Sequence, residues 1–104
     1  MPPSFPEFPA FARAIGLRIE QERVGQGMTK EELADRSGLA SRYLWRVEEG
    51  LQNVTFKNLV AIAQGLQIPL ATMMQDVERF AADPPPRPVK KPRGPAAAKR
   101  RAEA

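Results

Sequence analysis

The stretch from Thr29 to Glu49, TKEELADRSGLASRYLWRVEE, decides the fold. Its first four residues form a capping box. The Thr29 hydroxyl can accept from a first-turn amide, and the Glu32 carboxylate can reach back to the amide of Thr29. The helix so opened turns Leu33 and Ala34 inward and is expected to end at Ser37, before Gly38. Gly38 supplies the positive φ that a sharp corner between two helices requires. Leu39 can then fold back into a core. Ser41 is read as the N-cap of a second short helix, which buries Leu44 and Val47 and stops at Gly50.

Outward from this pair the punctuation continues. Pro2, Pro3, Pro6 and Pro9 make residues 1–9 an extended arm. Phe11, Ile15 and Ile19 recur every fourth residue, one stripe of a helix that runs from Ala10 to near Val24 and is stopped by Gly25 and Gly27. After this helix pair, Gln52 and Asn53 read as loop and Thr55 as an N-cap. The helix it opens carries Leu59, Ile62 and Ala63 and is expected to close at Gly65. Pro69 suits the first turn of a last helix holding Leu70, Met73, Met74 and Val77. Residues 84–104 contain six prolines and one large aliphatic, Val89, too little apolar surface to offset ordering, and are read as a disordered basic tail. The expected fold is all-α: a compact bundle of about five short helices over residues 10–83, with arm and tail on either side.

Composition narrows the function. The 104 residues include no cysteine and no histidine, which removes thiolate and imidazole metal ligands, disulfides and the commonest general base. No Gly-rich phosphate loop and no cluster of carboxylates within one expected pocket stands in for them. An enzyme is therefore not expected, nor a cofactor, a metal or a small-molecule ligand. No apolar run is long enough to span a bilayer and no secretory signal is visible, so the expected location is cytoplasmic, at the bacterial nucleoid. The net charge of +4 is unevenly placed. Residues 1–83 hold 9 Lys+Arg against 11 Asp+Glu, a net of −2, and residues 84–104 hold 7 against 1, a net of +6. A polyanion-binding role for the domain thus has to rest on particular residues on one face.

Such a face exists. The exposed side of the second helix carries Ser41, Arg42, Trp45, Arg46 and Glu49. Arg42 and Arg46 are one turn apart, and the planar guanidinium fork matches guanine O6 and N7 together. Thr29, Lys30, Asn53 and Lys57 flank it at helix starts or in loops, where backbone amides and the positive dipole end meet phosphates. Trp45 can stack on DNA or half-pack on its own helix. Tyr43 can donate to a phosphate or pack on a neighbour. The tail can remain solvated or touch DNA weakly without sequence preference.

The segment from Gly16 to Met74 resembles the Cro/CI-type (XRE, lambda-repressor-like) helix-turn-helix family. The similarity is carried in order by Arg18-Ile19, Arg23, Gly27-Met28-Thr29, Glu31-Glu32-Leu33-Ala34, Ser37-Gly38-Leu39, Ser41-Arg42-Tyr43-Leu44, Arg46-Val47-Glu48, Gly50, Asn53, Leu59, Ile62-Ala63 and Leu66. The loop Asn53-Val54-Thr55-Phe56 is similar to that of restriction-modification controller proteins. The resemblance implies base and phosphate contacts from Ser41, Arg42, Tyr43 and Arg46, backbone contacts from Thr29 and Lys30, and a phosphate contact from Asn53. It also implies a buried ion pair between Arg23 and Glu48. Three residues depart from the family pattern. Lys30 replaces a glutamine, Val54 replaces a common proline, and Glu49 brings an acid towards the DNA side.

The function so implied is sequence-specific binding of double-stranded DNA by a transcriptional regulator, with the helix Ser41–Glu49 in the major groove. A homodimer on half-sites about 10 bp apart is expected, its seam formed by Met73, Val77 and Phe80. The rival is an antitoxin-like interaction module with DNA binding secondary.

Overall fold

The computed structural model describes residues 5–89, which contain six helices and no strand. They are α1 (Phe8–Gly25), α2 (Lys30–Ser37), α3 (Ser41–Glu48), α4 (Phe56–Leu66), α5 (Leu70–Met74) and α6 (Val77–Ala82). None is long and apolar enough to cross a membrane. α1 is the central post. Every residue from Ala14 to Glu20 is buried, and α3, α4, α5 and α6 all pack against it. Ile19, Leu33, Leu44, Val47, Ile62, Leu66 and Met73 are its fully enclosed neighbours or members of the same core. α1 begins at Phe8, within the stretch expected to be an extended arm. Pro9 lies in its first turn, where a missing amide hydrogen costs nothing.

The capping box forms as expected: the Thr29 hydroxyl accepts from the amide of Glu32, and the Glu32 carboxylate accepts from the amide of Thr29. Gly38 takes φ 69°, and the amide of Leu39 donates to the carbonyl of Ala34 across the corner. Ser41 is not the N-cap of α3. The corner leaves Ala40 in the extended capping position, so Ser41 is already helical and its side chain is exposed. Thr55 does cap α4, accepting from the amide of Asn58.

Gly65 does not close α4; Gln67 does, in the left-handed region at φ 57°. Gly65 is buried against α2, where a Cβ would stand 2.4 Å from Ser37 Oγ and 3.1 Å from Leu33 Cδ1. It serves the close approach of two helices. Gly16 does the same between α1 and α3: a Cβ there would lie 2.5 Å from the carbonyl oxygen of Val47 and 2.7 Å from that of Glu48.

The expected last helix is two helices. Asp76 sits at φ 66° and breaks the chain between α5 and α6. The buried Arg18 guanidinium stabilises the break, its Nη2 donating to the carbonyl of Thr72 at 2.7 Å and its Nε to that of Gln75 at 2.8 Å. These are carbonyls that a helix end leaves without partners. The turn sends α6 back onto α1, so Met73, Val77 and Phe80 are buried within the chain. Met73 and Phe80 are core, which removes them from the expected dimer seam, while Val77 is buried but lines an apolar groove beside Met74.

Residues 84–89 belong to no helix and run beside α1 and α3, where Arg87 pairs with Glu20 and Glu49. The rest of the expected disordered tail, 90–104, and the first four residues of the arm lie outside the described residues.

The α1–α3 contact yields a test. Gly16→Ala should destabilise the protein by about 1–3 kcal/mol through overpacking against backbone. Gly25→Ala, with nothing within 4 Å of its added carbon, should be neutral or stabilising by up to about 1 kcal/mol. Urea midpoints of the two variants check both.

Candidate nucleic-acid interface

The position of α3 depends on one guanidinium. Arg23 Nε donates to Glu48 Oε2 at 2.7 Å and Nη2 to Glu48 Oε1 at 2.9 Å, a bidentate pair with both side chains buried. Its Nη1 donates to the carbonyl of Met28 at 2.8 Å. One side chain thus ties α1 to the last turn of α3 and to the bend that leads into α2. Burial pushes the Glu48 carboxyl above its ordinary value, and the hydrogen bonds and charge of Arg23 pull it back. The pair implied by the resemblance is therefore present.

With α3 held by Leu44, Val47 and Glu48, its other side faces solvent. Ser41, Arg42, Trp45 and Arg46 are exposed on it, as expected. Arg42 has no hydrogen bond or ion pair among the described residues, so its guanidinium projects free. Arg46 is occupied: Nε donates to Gln52 Oε1 at 3.0 Å and Nη2 to the carbonyl of Leu51 at 3.4 Å. Tyr43 is half-buried and its hydroxyl accepts from Asn58 Nδ2 at 2.9 Å, which leans the ring onto α4. The phenolic hydrogen remains available as a donor.

The flanks are less uniform. The Thr29 hydroxyl is taken up by the capping box, donating to Glu32 Oε1 at 2.9 Å. What Thr29 and Lys30 offer to an anion is the opening turn of α2 and the Lys30 ammonium. Asn53 is exposed in the loop after α3, and Lys57 is exposed in the first turn of α4. Glu49, the acid expected to disturb this face, is turned aside by an ion pair with Arg87. Hydrogen bonds to Glu20 first and Glu49 second raise the pKa of that arginine further above its already high value.

Sequence reasoning missed Gln52, Asn58, Glu20 and Arg87. Gln52 and Asn58 act only through partners that the fold brings near. Glu20 stands in α1 between Ile19 and Gln21 with no pattern to mark it, and Arg87 was absorbed into the charge of the tail.

Known proteins share this geometry. A helix-turn-helix family profile matches residues 19–73. The HTH-type transcriptional regulator SinR of Bacillus licheniformis is 31% identical over 70 residues, which make up 66% of this chain and 63% of that protein. The match thus spans less than two thirds of SinR. Among solved structures, the restriction-modification controller protein C.AhdI from Aeromonas hydrophila superposes with a TM-score of 0.59 at 32% identity, covering 60% of this chain and 94% of that one. The controller C.Esp1396I bound to a 19 base pair DNA duplex gives 0.62 at 28% identity, covering 66% and 92%.

Removing one member of the buried pair strands the other. Glu48→Ala should lower stability by about 3–5 kcal/mol, and replacing both Arg23 and Glu48 with apolar residues of similar volume should recover much of the loss. Chemical denaturation of the single and double variants measures it; a Glu48→Ala protein that unfolds like the parent contradicts the assignment.

Proposed function

This chain belongs to the Cro/CI-type (XRE) helix-turn-helix family, and we propose that it is a sequence-specific transcriptional regulator that binds double-stranded DNA with α3 in the major groove. The observation that carries this reading is the exposed face of α3, with Arg42 free and Arg46 beside it, presented by a helix that a buried ion pair fixes to the body. The DNA-bound relative C.Esp1396I supports it.

In this reading Arg42 and Arg46 read base edges, and Arg46 exchanges Gln52 for a guanine. Ser41 and the Tyr43 hydroxyl donate to phosphate or base. Lys30, the first turn of α2 with Thr29 at its cap, and Asn53 hold the backbone on either side, which sets register without reading sequence. The site performs no reaction, and binding is the whole of its chemistry. The protein works in the cytoplasm, on its operator.

It acts as a homodimer, since two recognition helices one DNA turn apart match a two-fold operator. The seam consistent with the observed burial is an apolar groove between the start of α1 and α5. Phe8, Phe11, Ile15, Val54, Leu59 and Met74 line it, and Phe8 and Met74 are exposed at its rim. Asn53 and Val54, in the loop just after α3, form one wall, so a two-fold axis there sets the two α3 helices near each other. Covering it with a second copy removes exposed apolar surface that a solitary chain leaves in water.

Selection of bound duplexes from a random pool tests the reading directly: one symmetric sequence should be enriched. On that sequence, Arg42→Ala should cost about 1–3 kcal/mol and relax the preference at one position per half-site, whereas Lys30→Ala should weaken all sequences alike. Equal losses for Arg42→Ala on selected and mixed DNA would reduce it to a phosphate contact.

The seam is probed by Met74→Glu, a change at an exposed position. The variant should elute as a folded monomer with weaker binding to the selected duplex. A dimer of unchanged affinity would place the interface elsewhere.

A further inference from the structure

Where α1 meets the end of α3, ion pairs among the described residues join two arginines and three carboxylates: Arg23 and Arg87 with Glu20, Glu48 and Glu49. Glu20 and Arg23 are buried on α1, and Glu48 is buried on α3. Arg23 gives Nε and Nη2 to Glu48 and Nη1 to the carbonyl of Met28. Its Nη2 lies 3.8 Å from Glu20 Oε2, beyond hydrogen-bond reach. Glu20 is served by Arg87 instead, whose Nε and Nη2 each donate to one of its oxygens at 2.9 Å. The same Nη2 pairs with Glu49, the C-cap of α3. Each of the two buried carboxylates thus has its own hydrogen-bonded guanidinium.

α1 and α3 alone do not fix this division. Burial raises the Glu48 carboxyl, Arg23 opposes the rise, and the charge of Glu20 adds to it. Glu20 and Glu48 are therefore rivals for one cation. With Arg87 removed, the buried Glu20 is left with Arg23 as its ion-pair partner, and an uncompensated buried charge is expensive. Arg23 is then drawn towards Glu20, one turn earlier on its own helix, and away from Glu48. The residue that prevents this comes from beyond the last helix. Pro84, Pro85, Pro86 and Pro88 keep the chain there extended and bring no amide hydrogen that needs a partner. Pro84 and Pro85 line a cleft with Arg13, Leu17, Glu48 and Glu49, and Pro88 lines another with Glu20, Arg23, Thr29 and Lys30. The segment is a strap across the α1–α3 seam, with Arg87 at its fastening.

We propose that Arg87 is a positioning residue for DNA recognition: by holding Glu20 and the end of α3 it leaves Arg23 to Glu48, and so fixes the angle at which α3 enters the major groove. The inference rests on the DNA-binding reading above and deepens it. Arg87 touches no base; it acts through Glu20, Arg23 and Glu48. A bidentate contact to a base edge depends steeply on distance and angle, whereas attraction to phosphates falls slowly with distance. Loosening α3 therefore lowers the preference for the correct sequence more than the general hold on DNA.

The experiment compares the full chain with Arg87→Gln, Glu20→Gln and the double variant, with circular dichroism as a folding control. One readout needs no DNA. In isotope-labelled protein the Nε–H of Arg23 gives a resonance whose exchange with water is slow while it is bonded to the buried Glu48. Arg87→Gln should speed that exchange, and adding Glu20→Gln should slow it again, because the rival carboxylate is gone. The other readout is titration, at several salt concentrations, on a mixed-sequence duplex and on one selected from a random pool. Arg87→Gln should lose about five-fold or more of the preference for the selected duplex, the lower end of what one bidentate base contact carries. Its slope of log affinity against log salt should match the parent's, and the double variant should regain the preference. Arg87→Lys, which keeps the charge without the fork, should fall between parent and Arg87→Gln on both readouts, and it serves if Arg87→Gln does not fold.

A slope shallower by about 0.9 in Arg87→Gln, with nothing regained on adding Glu20→Gln, makes Arg87 a phosphate contact and overturns the proposal. Unchanged exchange at Arg23 overturns it as well. If the parent chain enriches no sequence from the pool, the regulatory reading fails and the positioning role with it. If it enriches one and Arg87→Gln keeps the full preference, only the positioning role fails.

Discussion

The buried guanidinium of Arg23 is the constraint on which the rest of this small domain depends. Its three donor positions reach the two oxygens of Glu48 and the carbonyl of Met28. Those partners belong to the end of α3 and to the bend before α2, so both helices of the motif are referenced to one point on α1. Hydrophobic contact alone would hold them less specifically, because Leu44 and Val47 can slide in a core of Ile and Leu. A bidentate pair fixes distance and orientation together. Gly16 belongs to the same arrangement. Only a residue without a side chain lets the backbone of α1 come close enough to the carbonyls of Val47 and Glu48 for Arg23 to reach across.

A second arginine plays a comparable part little more than one turn earlier on α1. Arg18 takes the carbonyls of Thr72 and Gln75 and so ends α5 where the apolar pattern would continue it. The consequence is a division of apolar residues that a straight helix would not make. Met73, Val77 and Phe80 go inward, and Met74 is left at the surface. Arg18 thus determines which of these side chains are core and which stay at the surface.

Features governed by neighbours three or four residues apart were legible in the sequence. The Thr29–Glu32 capping box, the Gly38 corner, the Thr55 cap and the inward faces of α2, α3 and α4 all belong to this class. So did the exposed positions of Ser41, Arg42 and Arg46, since a helix with one buried stripe leaves the opposite side to solvent. What was not legible came from far along the chain. The break at Asp76 answers to Arg18, more than fifty residues away, and no local signal marks it. Gly65 looked like a helix stop and is a packing surface for Ser37. Ser41 looked like a cap because Ser is a good one, yet the corner at Gly38 had already assigned that place to Ala40. Tyr43 fell between two readings, and Asn58 on α4 draws its hydroxyl towards the body while leaving its hydrogen able to donate. Arg87 was hidden in a run of similar residues whose charge could be counted but whose contacts could not.

In the proposed reading, the contact between Arg46 and Gln52 makes base recognition a competition. In the free protein that guanidinium already has a side-chain amide and a backbone carbonyl as acceptors. A base that offers two good acceptors replaces them at little net cost. A base that offers none leaves the arginine either at home, contributing nothing, or displaced and unsatisfied. The reward for a correct base is thereby reduced, but so is the indiscriminate attraction of an idle cation for any polyanion. In that reading, residence on a wrong sequence is shortened more than residence on the right one, and the protein is freed sooner to continue its search along DNA.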